Sequence, residues 1–301
     1  MNLSQDLTII EVGPRDGLQN ERSFVPTAAK VELINLLAKS GLKQIEVTSF
    51  VSPKAIPQLA DNEAVFTAID KHEGVTFSAL VPNEQGIKKA ISLNVKKIAI
   101  FTAASESFNQ RNINCTITES IERFTPIIKL ARENKIEIRA YISCVLGCPY
   151  EGNIKPSQVA DVTERLLKLG VDELSLGDTI GVGTPKQTKE LIKEISSIMP
   201  ISNIAMHFHD TYGQAVANTY ASLDCGINRF DSSVAGLGGC PYAEGASGNV
   251  ATEDLLYLFS GLGIKTGVDI YQVVSAGDMI CKTLGRKNQS KVANALLAHF
   301  K

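Results

Sequence analysis

Eight short apolar runs recur along the 301 residues with helix-patterned stretches between them, and this alternation limits the fold more than any single motif does. The runs cover residues 7–12, 44–48, 76–80, 97–102, 137–142, 173–176, 203–207 and 230–234. Between them, Thr184-Pro185 reads as a cap and first helical turn, with Leu191, Ile192, Ile195 and Ile198 following at helical spacing before Pro200. Val159, Val162, Leu166 and Leu169 form one apolar stripe that stops at Gly170. Strand, helix, strand repeated eight times predicts a parallel α/β sheet, and eight units close naturally into a (β/α)8 TIM barrel. An open doubly wound sheet is the competing fold.

The positions of the unusual polar residues separate the two. Arg15 and Asp16 follow the first run, Glu46 sits near the end of the second, and Asp178 follows the sixth. His207 and His209 end the seventh, and Cys240 follows the eighth. Every one is at a carboxyl end, and only a closed ring brings the first and eighth strands to one site. No low-complexity tract, charge block or Pro/Gly/Ser linker invites a cut. Residues 1–301 are therefore expected to form a single barrel domain with C-terminal helices and a glycine-rich loop after strand 8.

His207-Phe208-His209-Asp210 points to a metal. Residues i and i+2 of a strand project from the same face, so the two imidazoles present together, and the chain has only four histidines to spend. A buried structural pair is the bland alternative. Hard divalent cations such as Mg²⁺ and Mn²⁺ accept imidazole, carboxylate and amide oxygen. Asp16, His207, His209 and Asn249 would supply four ligands and leave two octahedral positions for substrate or water.

Three further stretches carry chemistry. In Glu11-Val12-Gly13-Pro14-Arg15-Asp16-Gly17, a turn needs only one short polar residue, so the Arg-Asp step between two glycines leans towards function over a surface ion pair. Asp178 stands between a strand and a capped helix, where an Asx turn is the plain reading and orienting or charge balancing the functional one. Gly236-Leu237-Gly238 mimics the start of a dinucleotide fingerprint, but Pro241 occupies the third glycine slot. A loop carrying the Cys240 thiol over the barrel mouth for proton transfer fits better. The other cysteines, 115, 144, 148, 225 and 281, read as small buried hydrophobes, because a lone CxxxC at 144–148 is a weak ligand signal.

Composition removes other classes. A formal net charge of −2 and a pI near 6.1 leave no basic footprint for nucleic acid. No apolar run approaches the roughly 18 residues of a membrane span, and Met1-Asn2-Leu3-Ser4-Gln5-Asp6 has neither an apolar signal centre nor transit-peptide arginines. A soluble, cytoplasmic protein is expected.

The motifs GPRDGLQNE at 13–21, TSFVSPK at 48–54, AASESFNQRNINC at 103–115, GDTIGVGTP at 177–185, HFHDTYGQA at 207–215 and AGLGGCPYAEGASGN at 235–249 closely resemble the 3-hydroxy-3-methylglutaryl-CoA lyase family over nearly the whole chain. The resemblance implies that Asp16, His207, His209 and Asn249 bind the metal, Arg15 contacts substrate and Cys240 is the catalytic residue of the loop. Glu46 and Asp178, with Glu11 and Glu253, would support catalysis. It implies retro-Claisen cleavage of the acyl-CoA to acetyl-CoA and acetoacetate, a step of leucine catabolism and ketone-body formation, with Asp16 or His207 as base and a homodimer or higher homo-oligomer as the assembly. Segments 255–262 and 293–297 are candidate self-association faces, and Lys54, Lys88, Lys89 and Arg111 are candidates for the CoA phosphates. Two departures stand out: Ala55-Ile56 follow SPK where relatives carry an aromatic residue, and Ala298-His299-Phe300-Lys301 lacks the cysteine and organelle address of some eukaryotic members, as in a bacterial cytoplasmic form. The alternatives are a lyase for a longer 3-hydroxyglutaryl-CoA analogue, a synthase condensing a 2-oxo acid, and a non-catalytic acyl-CoA-binding barrel.

Overall fold

A computed structural model of the chain describes residues 7–21, 23–239 and 247–299. The strands are β1 (Thr8–Glu11), β2 (Gln44–Ser49), β3 (Thr76–Leu80), β4 (Lys97–Ala103), β5 (Glu137–Ser143), β6 (Glu173–Asp178), β7 (Ile204–Phe208) and β8 (Arg229–Ser232). They pair in parallel in sequence order, and β8 returns to β1 through Thr8↔Arg229 to Glu11↔Ser232, closing the barrel. The open-sheet alternative is excluded.

The expected runs fall within one or two residues of the observed strands. β6 extends to Asp178, which is its last residue rather than the first of the loop. The helix expected to include Ile198 ends sooner, as Pro185–Ile195. Ser196 and Ser197 turn their hydroxyls back onto the carbonyls of Lys193 and Glu194, offering the backbone an alternative to further helix. At the other crossover, Gly170 takes the left-handed conformation (φ +95°) that ends the helix Pro156–Leu169 as predicted.

The large apolar core lies between strands and helices. Along β7, Ile204, Met206 and Phe208 pack outward into it, so the pleat sends Ala205, His207 and His209 inward. Inside the barrel the apolar clusters are small: Ile10, Val12 and Ala205 form one, and Leu80, Ala99 and Tyr141 another. Between them sit buried Arg139, Glu173, Ser175 and Asp231. After β8 come the helices Thr252–Gly261, Ile270–Leu284 and Lys291–His299. Leu255, Leu256 and Phe259 of the first point into the main core, so much of the apolar side expected to mediate self-association is spent within the chain. No helix of the described residues is long and apolar enough to cross a membrane.

Candidate metal centre and cavity

β1 runs into one wide helical turn, Gly13–Gly17, in which Arg15, Asp16 and Gly17 all donate their backbone N–H to the Val12 carbonyl. Such turns are rare and cluster at functional sites. Glycine is required at its ends because a Cβ on Gly13 would meet Glu11 Oε1 at 2.6 Å, and one on Gly17 would meet Ser233 Oγ at 2.7 Å. The turn is thus pressed onto the root of the loop after β8, and it aims two adjacent charges into the barrel mouth.

Arg15 is 6% exposed and held from two sides. Its Nε donates to Glu46, its Nη1 donates to Asp16 Oδ1 at 2.6 Å, and its guanidinium lies 5.2 Å from the centre of the Tyr141 ring. The Tyr141 hydroxyl donates to the other Glu46 oxygen at 3.0 Å. Burial opposes the Arg15 charge, but Glu46 and Asp16 outweigh it and hold the guanidinium above its ordinary range. A β-bulge in the pairing of β2 with β3 falls between Glu46 and Thr48, directly after the carboxylate that anchors Arg15.

Asp16, His207 and His209 converge: their ligand-capable atoms all lie within 4.8 Å of one another. His207 Nε2 is 4.0 Å from Asp16 Oδ2, and the two imidazole centroids are 5.3 Å apart. Burial raises Asp16, but Arg15, His207 and His209 together pull it down to about 2, so the carboxylate is ionised. Burial, reinforced by His207, lowers His209 to about 4, so that imidazole is neutral. His209 Nδ1 is buried with no hydrogen-bond partner among the described residues, which is costly for a polar atom. One ionised carboxylate, a neutral imidazole with an orphaned nitrogen, and a second imidazole beside them fit a divalent cation.

Asn249 reaches the same place through the segment after the loop. It forms an isolated antiparallel bridge with His209, while Val250 N donates to Phe208 O at 2.9 Å. Its amide nitrogen donates to Asp16 Oδ2 at 2.9 Å and to Leu237 O at 3.2 Å, so the nitrogen faces Asp16. Cys240 lies outside the described residues.

The remaining candidates are placed elsewhere. Asp178 accepts from the backbone N–H of Val182 and Gly183 at 3.2 and 2.9 Å. These bonds are those of its plain turn-making reading, and burial pushes its carboxyl up to about 6 against them. Glu11 accepts from the N–H of Gly13 and Val234 and from the Thr252 hydroxyl, and Glu253 takes the Ala235 N–H on both oxygens. Both carboxyls are fully buried and brace the turn at Val234–Gly236 rather than face the cavity.

A cavity of about 720 Å³ opens above the triad, with Arg15, Asp16, His207 and His209 among its lining residues. It takes in Ala55 and Ile56, which follow the SPK motif, and reaches Arg111 and Arg123. Of the four phosphate candidates only Arg111 borders it, lying 4.3 Å from the centre of the Tyr150 ring. Lys88 pairs with Glu84 and Lys89 with Glu63, and Lys54 is exposed away from the lining. Arg123, Tyr141, Arg139 and Asp231 escaped the sequence reading. For Tyr141 and Arg139 the signal was present, namely a phenolic and a charged residue at alternate positions of the run 137–142.

Residues 6–280 match the HMGL-like family. The chain is 56% identical over 298 residues, 99% of both sequences, to the 3-hydroxy-3-isohexenylglutaryl-CoA/hydroxymethylglutaryl-CoA lyase of Pseudomonas aeruginosa. It superposes on a crystal structure of hydroxymethylglutaryl-CoA lyase from Pseudomonas aeruginosa with a TM-score of 0.97 and 56% identity, covering 99% of this chain and all of the other. An HMG-CoA lyase from Acinetobacter baumannii in complex with coenzyme A and 3-methylmalate aligns at 38% identity and a TM-score of 0.93, over 98% and 97% of the two chains.

Proposed function

The chain belongs to the HMGL-like family, within its hydroxymethylglutaryl-CoA lyases, and from that membership we propose how its residues cleave 3-hydroxy-3-methylglutaryl-CoA to acetyl-CoA and acetoacetate. The observation that carries the reading is the convergence of Arg15 with Asp16, His207 and His209 at the floor of one cavity.

Cleavage requires three things of the protein. The tertiary 3-hydroxyl loses its proton, the C2–C3 bond breaks with its electron pair left on the thioester fragment, and the hydroxyl oxygen becomes the ketone of acetoacetate. The enolate of acetyl-CoA then takes a proton. Asp16 and His207 border the cavity, and one of them receives the first proton, directly or through water. Arg15, permanently charged and locked by Glu46, presents N–H donors where negative charge grows on the thioester oxygen. Cys240 supplies the last proton to the enolate carbon from its thiol, and the thiolate is reprotonated by the proton first removed.

Asp16, His207 and His209 would hold a divalent cation, Mg²⁺ or Mn²⁺, and Asn249 would join them through its amide oxygen once its side chain turns the nitrogen away from Asp16. When bound, such an ion supplies Lewis-acid stabilisation of the oxygens on which charge develops. The proposal extends to the whole of residues 1–301 acting as one catalytic domain, to a homodimer, and to the bacterial cytoplasm; the last is supported by the bacterial source of the Pseudomonas relative. The coenzyme A bound to the Acinetobacter lyase supports an acyl-CoA substrate here, with Arg111 and Arg123 as candidate cations for its phosphates.

The test is acetoacetate release from 3-hydroxy-3-methylglutaryl-CoA with Mg²⁺ or Mn²⁺, repeated after a chelator. Release that the chelator abolishes and added cation restores is the expected result. No acetoacetate under any condition overturns the lyase reading, and undiminished release in chelator overturns the metal reading alone. The same assay with the isohexenyl analogue measures what Ala55 and Ile56 admit.

A further inference from the structure

A column of charge runs down the barrel beneath His207, where barrels of this class ordinarily stack branched apolar side chains. His207 Nδ1 lies 3.1 Å from Asp231 Oδ2. The same carboxylate accepts from Ser175 Oγ at 2.7 Å and from Arg139 Nη2 at 2.5 Å. Arg139 in turn lies 3.1 Å from Glu173, an ion pair without hydrogen-bond alignment, and Glu173 holds Lys97 at 2.8 Å and Arg229 at 3.1 Å. Arg139 and Asp231 have side chains only 2% and 0% exposed. Stability does not explain this arrangement, because replacing buried ion pairs by well-packed apolar residues is often neutral or stabilising. The column ends at one imidazole nitrogen, and the other nitrogen of that ring faces Asp16.

We propose that Asp231, held in place by Arg139, is a positioning residue that keeps the proton of His207 on Nδ1 and so leaves the Nε2 lone pair directed at the cation site. The inference rests on the metal reading above and adds to it a device for fixing one ligand. Two of the four lone-pair directions on Asp231 go to Arg139 and Ser175, which leaves the carboxylate little freedom to rotate away from the ring. Carboxylates placed behind a ligating imidazole typically change metal affinity by 10- to 100-fold when removed.

The experiment has two readouts. Mn²⁺ affinity is measured by titration, following the free-ion electron paramagnetic resonance signal, for the wild type and for Asp231→Asn, Arg139→Gln and Arg139→Lys. The tautomer of His207 is read from imidazole ¹⁵N shifts of the metal-free protein, above the ordinary imidazole pKa. Asp231→Asn is expected to weaken Mn²⁺ about 10- to 100-fold and to mix the tautomers. Arg139→Gln should do so to a smaller degree, with partial rescue in Arg139→Lys. A folded Asp231→Asn protein that binds Mn²⁺ as tightly as the wild type overturns the proposal. So does a wild-type spectrum with the His207 proton on Nε2, which needs no variant to fold. A wild type that binds no Mn²⁺ overturns the metal reading instead, and the tautomer measurement still decides where the proton sits.

Discussion

At the scale of single residues, the site is a small set of side chains whose freedom has been removed. Arg15 illustrates the logic, since Glu46 and Asp16 each take a different nitrogen of one planar fork and Tyr141 braces both Glu46 and the guanidinium face. A lysine carries the charge but cannot make that pair of contacts. Arg15→Lys is therefore expected to lower kcat by about 10²- to 10³-fold, the usual cost of one electrostatic donor. Its Mn²⁺ affinity should stay near the wild-type value, and a variant of unchanged kcat would show that Arg15 does not act on developing charge. Cys240→Ala is expected to slow turnover by orders of magnitude with metal content intact, and unchanged turnover would remove the thiol from the mechanism. Residues of this kind were legible where a motif broke the local pattern, as His207 and His209 did. Asp231 and Arg139 stood out only as charged positions within buried strands, and their pairing was not legible, because the two lie 92 positions apart in the chain.

At the scale of elements, two short turns carry the machinery, and two buried carboxylates join them. Glu11 bonds Gly13 of the turn bearing Arg15 and Asp16, and also Val234 of the turn from which the glycine-rich loop departs. Glu253 fixes the next residue, Ala235, whose φ of +58° is strained for a residue with a Cβ. Burial pushes Glu253 up to about 8 and Glu11 to about 7, and Asp178 follows in the same direction to about 6. The linkage sign is then opposite to that of a salt-bridged carboxylate. Between the ordinary carboxylate range and these raised values, the folded chain keeps protons that the unfolded chain has released, so stability falls as pH rises through that window. Glu253→Gln keeps the shape without the titration. Its stability to denaturant should decline less than the wild type's between about pH 5 and pH 9, the difference being on the order of a few kcal/mol. Parallel declines would mean that Glu253 is ionised in the folded protein throughout. Strand and helix positions were readable from period and caps, and Glu11 and Glu253 stood out through the family resemblance; their role in bracing the turn at Val234–Gly236 did not, because the partners they bond come together only when the barrel closes.

At the scale of the whole molecule, closure is what makes the site possible, since residues from β1, β7 and the segment after β8 can meet only if the sheet returns on itself. That much followed from the number of alternating units and from polar residues gathering at carboxyl ends. The polar filling of the barrel did not follow, because periodicity reports which face of a strand is buried and says nothing of whether buried partners will be charged. The closed ring makes the cation a cross-link among segments far apart in sequence: Asp16 and Asn249 are 233 positions apart and hydrogen-bonded. An ion bound only by the folded chain stabilises it by about 2.7 kcal/mol at a hundred times its Kd. With about 2.1 cal/mol/K of unfolding entropy per residue, a chain of 301 residues should melt about 4 °C higher in saturating Mn²⁺. Removing His207 and His209 together should erase that increment while leaving the metal-free melting temperature within a few degrees of the wild type. If Mn²⁺ raises the melting temperature of the double alanine variant equally, the ion binds elsewhere on the surface and the triad is not its site.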